Sequence, residues 1–226
     1  MYVIFDFDGT LADTFTLGAQ LINEYADQLG YKQLDFAANK DKSAKELIKM
    51  SGVRFWQIPG LIKFFRRKSV ERAAEVNAFT GIPDLVRRLH ESGFSLGIMT
   101  TNSAQTIGIF LEKYGLKDYF TYIKTEISLF GKRRAIRRAK RHLKSEIIYI
   151  GDEIRDIDAC HAVNVPIISV AWGFNSHEIL EKNNPGMVAE DVEDVIRKLS
   201  QSQPLHLSPQ SSHHKKHSSV DCQFSI

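Results

Sequence analysis

Phe5-Asp6-Phe7-Asp8-Gly9-Thr10 follows at once on the apolar run Tyr2-Val3-Ile4. A short run of aromatic and β-branched residues reads as a buried strand, and this one ends in two carboxylates one residue apart. Period two sends both acids to the same side of an extended chain. Gly9 lets the chain turn sharply, and Thr10 can satisfy the turn. A strand leading into an acidic turn would account for one aspartate, but fits poorly with two and a Gly-Thr behind them. Adjacent carboxylates repel unless a proton or a cation lies between them, and ligands of open α/β sheets bind at the carboxyl ends of the strands. The pair therefore suits Mg²⁺, a hard ion that takes oxygen ligands and usually keeps waters and a substrate phosphate.

The rest of the chain supports such a sheet. Phe94–Met99, Phe120–Lys124, Glu146–Ile150 and Ile167–Ala171 are further candidate strands. Between them, Ile82–Ser92 has Pro83 in its first turn and Gly93 past its end, and Ser103–Tyr114 starts on a good cap and is followed by Gly115. Lys132–Leu143 carries one narrow apolar stripe, Ile136, Ala139 and Leu143. This β-α alternation predicts an α/β fold with a parallel sheet covered on both faces. Between the first two strands the sequence reads helical, over Phe15–Leu29, Ser43–Met50 and Leu61–Val76. That is far more chain than a crossover needs, which predicts a small helical domain inserted over residues 14–80. The sheet domain is expected over 1–13 and 81–200.

The 226 residues are 43% hydrophobic and 25% charged, ordinary globular usage that excludes a largely disordered, collagenous or coiled-coil chain. No apolar run approaches the ~18–20 residues of a membrane span. The amino terminus lacks a basic segment and does not read as a secretory signal. With only Cys160 and Cys222, a disulfide framework is implausible, and a reducing cytoplasm is the expected compartment. From Gln201 onward Ser, Gln, Pro and His dominate and periodicity vanishes, so 201–226 is expected to be a disordered tail. His206, His213, His214 and His217 lie there, but a floppy segment positions metal ligands poorly. The net charge of +3 is too small to indicate nucleic acid. Lys132, Arg133, Arg134, Arg137, Arg138, Lys140, Arg141 and Lys144, however, run without an intervening acid. They form either a solvated helix face or a field that attracts anionic substrates or RNA.

Two other strand ends carry chemistry. Met99-Thr100-Thr101-Asn102-Ser103 delivers hydroxyl and amide groups to a helix start, a combination that can cradle phosphate and can equally be an ordinary cap. Ile150-Gly151-Asp152-Glu153-Ile154-Arg155-Asp156 delivers two more acids one helical turn apart. Asp156 could alternatively complement a helix dipole.

In order, Asp6-x-Asp8-Gly9-Thr10, Thr100, Lys132 and Gly151-Asp152-x-x-x-Asp156 resemble the haloacid dehalogenase superfamily, in the branch with a helical cap inserted after the first motif that includes phosphoglycolate phosphatases. The resemblance covers about residues 1–199. It implies a Rossmann-like parallel sheet core with a small inserted α-helical cap, and an Mg²⁺-dependent phosphatase of a small phosphorylated metabolite. Asp6 would be the nucleophile that becomes an aspartyl-phosphate, and Asp8 the general acid and then the base. The metal would be held by Asp6, the Asp8 backbone carbonyl and Asp152, with Asp156 in support. Thr100 would bond the phosphoryl oxygens with backbone amides near Thr101 and Asn102 assisting, and Lys132 would bridge Asp6 and the phosphate. The roles are physically coherent, because a carboxylate attacks a phosphate dianion only when positive charge screens the approach.

Dehalogenases of this fold lack the second aspartate, so Asp8 implies phosphate chemistry. Phosphonate hydrolases of the branch use a cap lysine, for which Lys40, Lys42 and Lys45 are candidates without an evident apolar pocket. Sugar-phosphate mutases share the same motifs. Specificity is expected from the cap loop Asn39-Lys40-Asp41-Lys42-Ser43, through Lys40 and Lys42, or from Lys63, Arg66, Arg67 and Lys68, for which the alternative reading is a solvated cap face. Trp56, Phe64 and Phe65 are expected in the cap core, and Trp172-Gly173-Phe174 is expected to be structural. The chain is expected to act as a monomer or homodimer, without membrane or nucleic-acid partners. The competing reading is a binding or regulatory protein that uses the basic 131–144 face to hold RNA or another acidic partner.

Overall fold

A computed structural model describes residues 1–36, 38–39, 44–128 and 131–202. Six parallel strands form one sheet in the order β3-β2-β1-β4-β5-β6. They are β1 (Tyr2–Phe5), β2 (Ser95–Met99), β3 (Phe120–Lys124), β4 (Ile147–Gly151), β5 (Ile167–Val170) and β6 (Val188–Ala189). The fold is α/β and Rossmann-like. Because β1 sits between β2 and β4, the chain winds one way from β1 to β3 and the other way from β4 to β6. Ligands of open α/β sheets bind beside such a reversal. Register brings Phe5 level with Ile98 on one side and Ile150 on the other, so the three chemistry-bearing strand ends emerge side by side.

Strand pleat divides the core. Val3, Phe5, Ile148, Ile150, Ile168 and Val170 face one layer, where they meet α5 (Ile82–Glu91), α6 (Ala104–Lys113) and α10 (Val192–Ser202). Ile4, Ile147, Tyr149 and Ile167 face the other, against α7 (Lys132–Leu143), α8 (Ile154–His161) and α9 (His177–Asn183). The central strands β1 and β4 are apolar on both faces because both are covered, whereas the edge strand β3 is largely exposed. The capping signals act as expected. The Ser103 side chain accepts from the Thr106 N–H at the start of α6, and Gly93 and Gly115 adopt positive φ past α5 and α6.

Between β1 and β2 lie α1 (Thr14–Glu24), α2 (Ala26–Leu29), α3 (Ala44–Ser51) and α4 (Ile58–Glu71). The helix expected over 15–29 breaks at Tyr25, and that expected over 61–76 begins three residues earlier and ends at Glu71, with a short 3-10 turn after it. Trp56 departs from expectation: it sits in the 3-10 turn Phe55–Gln57 ahead of α4 and is 71% exposed. The Arg54 guanidinium lies 5.5 Å from its ring centroid. Phe65 does pack against the core and Phe64 meets Tyr25 edge-on at 5.0 Å. β6 has two residues, too few for any periodicity, and was not legible. α10 extends to Ser202, two residues into the expected tail; the remainder of that tail lies outside the described residues.

Phe7 and Phe110 meet edge to face at 4.9 Å, both fully buried, and tie the loop after β1 to α6. Phe110→Ala is expected to cost about 3–5 kcal/mol, read as a lowered urea midpoint with an unchanged denaturant slope.

Candidate active site

Asp6 follows β1 and stays in phase with Ile4, so its carboxylate enters the α7–α8 side of the sheet. There its Oδ2 accepts from Lys132 Nζ at 2.6 Å, and its Oδ1 accepts from the Phe7 N–H at 2.8 Å. Lys132 Nζ also donates to Asp156. Among the row of bases on α7, Lys132 is the one turned inward, 4% exposed. Arg133, Arg134, Arg137, Arg138 and Arg141 face solvent, with no ion pair among the described residues. Helix phase accounts for this: Lys132 shares the inward side with Ile136 and Ala139.

Asp152 directly follows β4 and is held from two directions. Thr10 Oγ1 donates to its Oδ1 at 2.9 Å, and the Phe174 N–H donates to its Oδ2 at 2.8 Å. Trp172 Nε1 donates to the Thr10 carbonyl at 3.1 Å, so the segment after β5 clasps the loop after β1. Gly173 has no room for a side chain: a Cβ there would lie 2.3 Å from Asp152 Cβ and 2.4 Å from the Gly9 carbonyl oxygen. Gly9, at φ +74°, would place a Cβ 2.1 Å from Asp152 Oδ2. The sequence reading of Trp172-Gly173-Phe174 as structural omitted the Phe174 amide, which orients an acid of the site; a backbone donor leaves no mark in residue identity.

Carboxylate oxygens of Asp6, Asp152 and Asp156 lie within 4.8 Å of one another, all buried. Burial, then the charge of Asp6, pushes the Asp152 carboxyl up to about 8, against the lowering effect of the Phe174 N–H. Asp156 is raised by burial, with Lys132 pulling it back. Burial opposes the Lys132 charge, but the electrostatic influence of Tyr149 and of the Asp6 and Asp156 carboxylates outweighs it and holds the ammonium well above its ordinary value. Three buried acids facing one ammonium leave negative charge uncompensated. A hard divalent cation with oxygen ligands fits that donor set.

Asp8 takes a different direction. Its carboxyl accepts from Thr100 Oγ1 at 3.2 Å and from Asn102 Nδ2 at 3.1 Å. Desolvation, followed by the charge of Asp6, raises its pKa. The Asn102 N–H donates to Thr100 Oγ1 at 2.9 Å. Asp8, Thr101 and Asn102 line a cavity of about 950 Å³ together with residues of α3, α4 and the segments after α2 and β3. Arg66 lines that cavity, whereas Lys68 pairs with Glu71 at 2.7 Å and Arg67 with Glu71 at 3.6 Å. Lys40 and Lys42 lie outside the described residues, and Lys63 is exposed.

A family model described as haloacid dehalogenase-like hydrolase matches residues 3–170, which span every one of these acids, Thr100 and Lys132. The chain belongs to that family. This hydrolase is 29% identical over 205 residues to a phosphoglycolate phosphatase of Synechococcus elongatus, covering 88% of this chain and 97% of the relative. It is 25% identical over 211 residues to the pyrophosphatase PpaX of Oceanobacillus iheyensis, covering 86% and 94%. Among solved structures, it resembles a predicted phosphatase from Clostridium acetobutylicum with a TM-score of 0.72 and 25% identity, over 88% of this chain and 98% of that one. A haloacid dehalogenase-like hydrolase from Streptococcus pneumoniae shares the fold at a TM-score of 0.74 and 22% identity, over 88% and 97%. No helix among the described residues of the hydrolase is long and apolar enough to cross a membrane.

The raised Asp152 carboxyl gives a stability prediction whose sign follows from linkage. A folded-state value near 8 against an ordinary 3.8 means that the folded state holds this proton more tightly than the unfolded one. Its stabilisation is complete below about pH 4 and is lost as pH climbs towards 8. Without divalent cations, melting temperature should fall between pH 5 and pH 8. Added Mg²⁺ should raise it more at pH 8 than at pH 5, because the ligands must shed protons to bind. Asp152→Asn should remove most of that difference; equal Mg²⁺ effects at both pH values would contradict the assignment.

Proposed function

We propose that this phosphoric monoester hydrolase works through an aspartyl-phosphate on Asp6, with Asp8 as acid and base and Mg²⁺ as cofactor, on a small phosphorylated metabolite. The observation that carries this is the division of labour between two acids one residue apart. Asp6 is ion-paired with Lys132 at 2.6 Å, while Asp8 sits apart, lining the cavity, with its pKa raised. Burial that favours the protonated form of one of two neighbouring carboxyls suits it to be the acid, and the lysine beside the other screens its approach to phosphate.

In the first displacement a bond forms between Asp6 and phosphorus while the ester oxygen departs with the proton of Asp8. In the second, a water gives its proton to Asp8 as its oxygen bonds phosphorus, and Asp6 is released with inorganic phosphate. Lys132 offsets the charge of the approaching phosphoryl group, and Thr100 and Asn102 orient Asp8. Asp6, Asp152 and Asp156, with the Asp8 carbonyl, would hold Mg²⁺, which supplies Lewis-acid neutralisation of phosphoryl charge. Names of the relatives point to phosphoglycolate or a diphosphate as substrates to test. Cys160, a buried free thiol, supports the proposal of a reducing cytoplasmic location.

Asp6→Asn should lower kcat on an aryl phosphate with Mg²⁺ by about a thousand-fold or more, with the folded state retained. Borohydride reduction of acid-quenched wild-type enzyme should yield homoserine at position 6. Turnover that survives Asp6→Asn, or label at another residue, would reject the assignment.

A further inference from the structure

The cavity above Asp8 is large and apolar, which bears on what the leaving group must be. Its walls are Leu34, Leu47, Val53, Leu61, Phe65 and Val70, contributed by the helices between β1 and β2 and their connections. Ile48 and Ile62 also border it and are left 37% and 54% exposed. Apolar surface gathered around a concave space is the ordinary lining of a site for an apolar ligand. Charged groups are few. Among the described lining residues, Arg66 is the one cation, and Glu126 and Asp8 are both acids. A leaving group bearing several negative charges would find one arginine to attract it and two carboxyls to repel it.

Size points the same way. A volume of about 950 Å³ is at the upper end of clefts that enclose drug-sized ligands. A two-carbon hydroxy acid would fill a small part of it and leave water against the apolar walls. The cavity reaches the chemistry at Asp8, the group that would protonate the departing oxygen, which lines it together with Thr101 and Asn102; a smaller cavity of about 440 Å³ also meets Asp8 and runs past Gly9 to Asp152.

We infer that the substrate is a phosphomonoester of a bulky, largely apolar alcohol, with the phosphoryl group at Asp6 and the carbon skeleton between Phe65, Leu61, Leu34 and Leu47. The inference rests on the phosphatase reading above and names its substrate class.

Two measurements separate the inference from that reading. In the first, n-alkyl phosphates from ethyl to octyl, with phosphoglycolate alongside, are assayed for kcat/KM with Mg²⁺. The second measures binding of ethyl- and octylphosphonate, which have no cleavable ester bond, to the wild-type protein by calorimetry. Each methylene that enters the cavity is expected to improve kcat/KM and affinity by about three- to four-fold, so octyl should exceed ethyl by at least about thirty-fold. Binding of the longer chain should also carry a more negative heat-capacity change. Leu61→Trp, which fills the space, should lower the octyl-to-ethyl ratio at least about five-fold. Turnover of phosphoglycolate with a flat or falling chain-length profile would overturn the inference and leave the phosphatase reading standing. Chain-length-dependent phosphonate affinity without turnover of any ester would support the apolar site and reject the phosphatase reading. Phosphonate affinity that ignores chain length would overturn the inference whatever the turnover.

Discussion

The Lys132 ammonium lies buried between Asp6 and Asp156, and the rest of the site is arranged around the charge it leaves unbalanced. Taking a carboxylate out of water costs several kcal/mol unless it is paired and hydrogen-bonded. Here three are taken out together and one ammonium answers them. Part of the deficit is met by neutral donors, namely Thr10 and the Phe174 N–H on Asp152 and the Phe7 N–H on Asp6. Protons supply another part, which is why Asp152 is pushed up to about 8. The remaining demand is for positive charge at the mouth of the cluster, the condition that lets a carboxylate approach a phosphate dianion.

Holding that cluster needs backbone closer than side chains allow. Gly9, Gly151 and Gly173 each stand where a Cβ would collide with Asp152 or Asp156. The loop after β1, the end of β4 and the segment after β5 therefore interlock through main chain, with the Trp172 indole on the Thr10 carbonyl closing the arrangement. Beneath them, the hydrophobic layers on the two faces of the sheet fix the strand ends in register. A site built on strand ends over a packed core, and held by such contacts around it, keeps its geometry better than one built on loops alone. The helices between β1 and β2 carry a different burden. They contribute no member of the acid cluster, but provide the apolar walls over Asp8.

Much of this was readable beforehand where it depends on local rules. Alternating apolar runs placed β1 to β5, and small and acidic residues at the strand ends marked Asp6, Asp8, Thr100, Asp152 and Asp156. Signals failed where an element is too short or its surroundings decide. β6 has two residues, and the aromatic Trp56 was assigned to a core although nothing local distinguishes a buried ring from one lying in water under Arg54.

By itself, the sequence determined which residue types arrive at the strand ends and in what order, because strand pleat, helix period and capping act over a few residues. Only the tertiary structure places Lys132, the base that the resemblance singled out, on the inward side of its helix, since a helix phase has meaning only against the sheet it packs on. It also decided that Thr10 and the Phe174 amide serve Asp152, contacts that join segments 142 and 22 residues apart. Those meetings follow from β4 lying between β1 and β5, a strand order that no local pattern encodes.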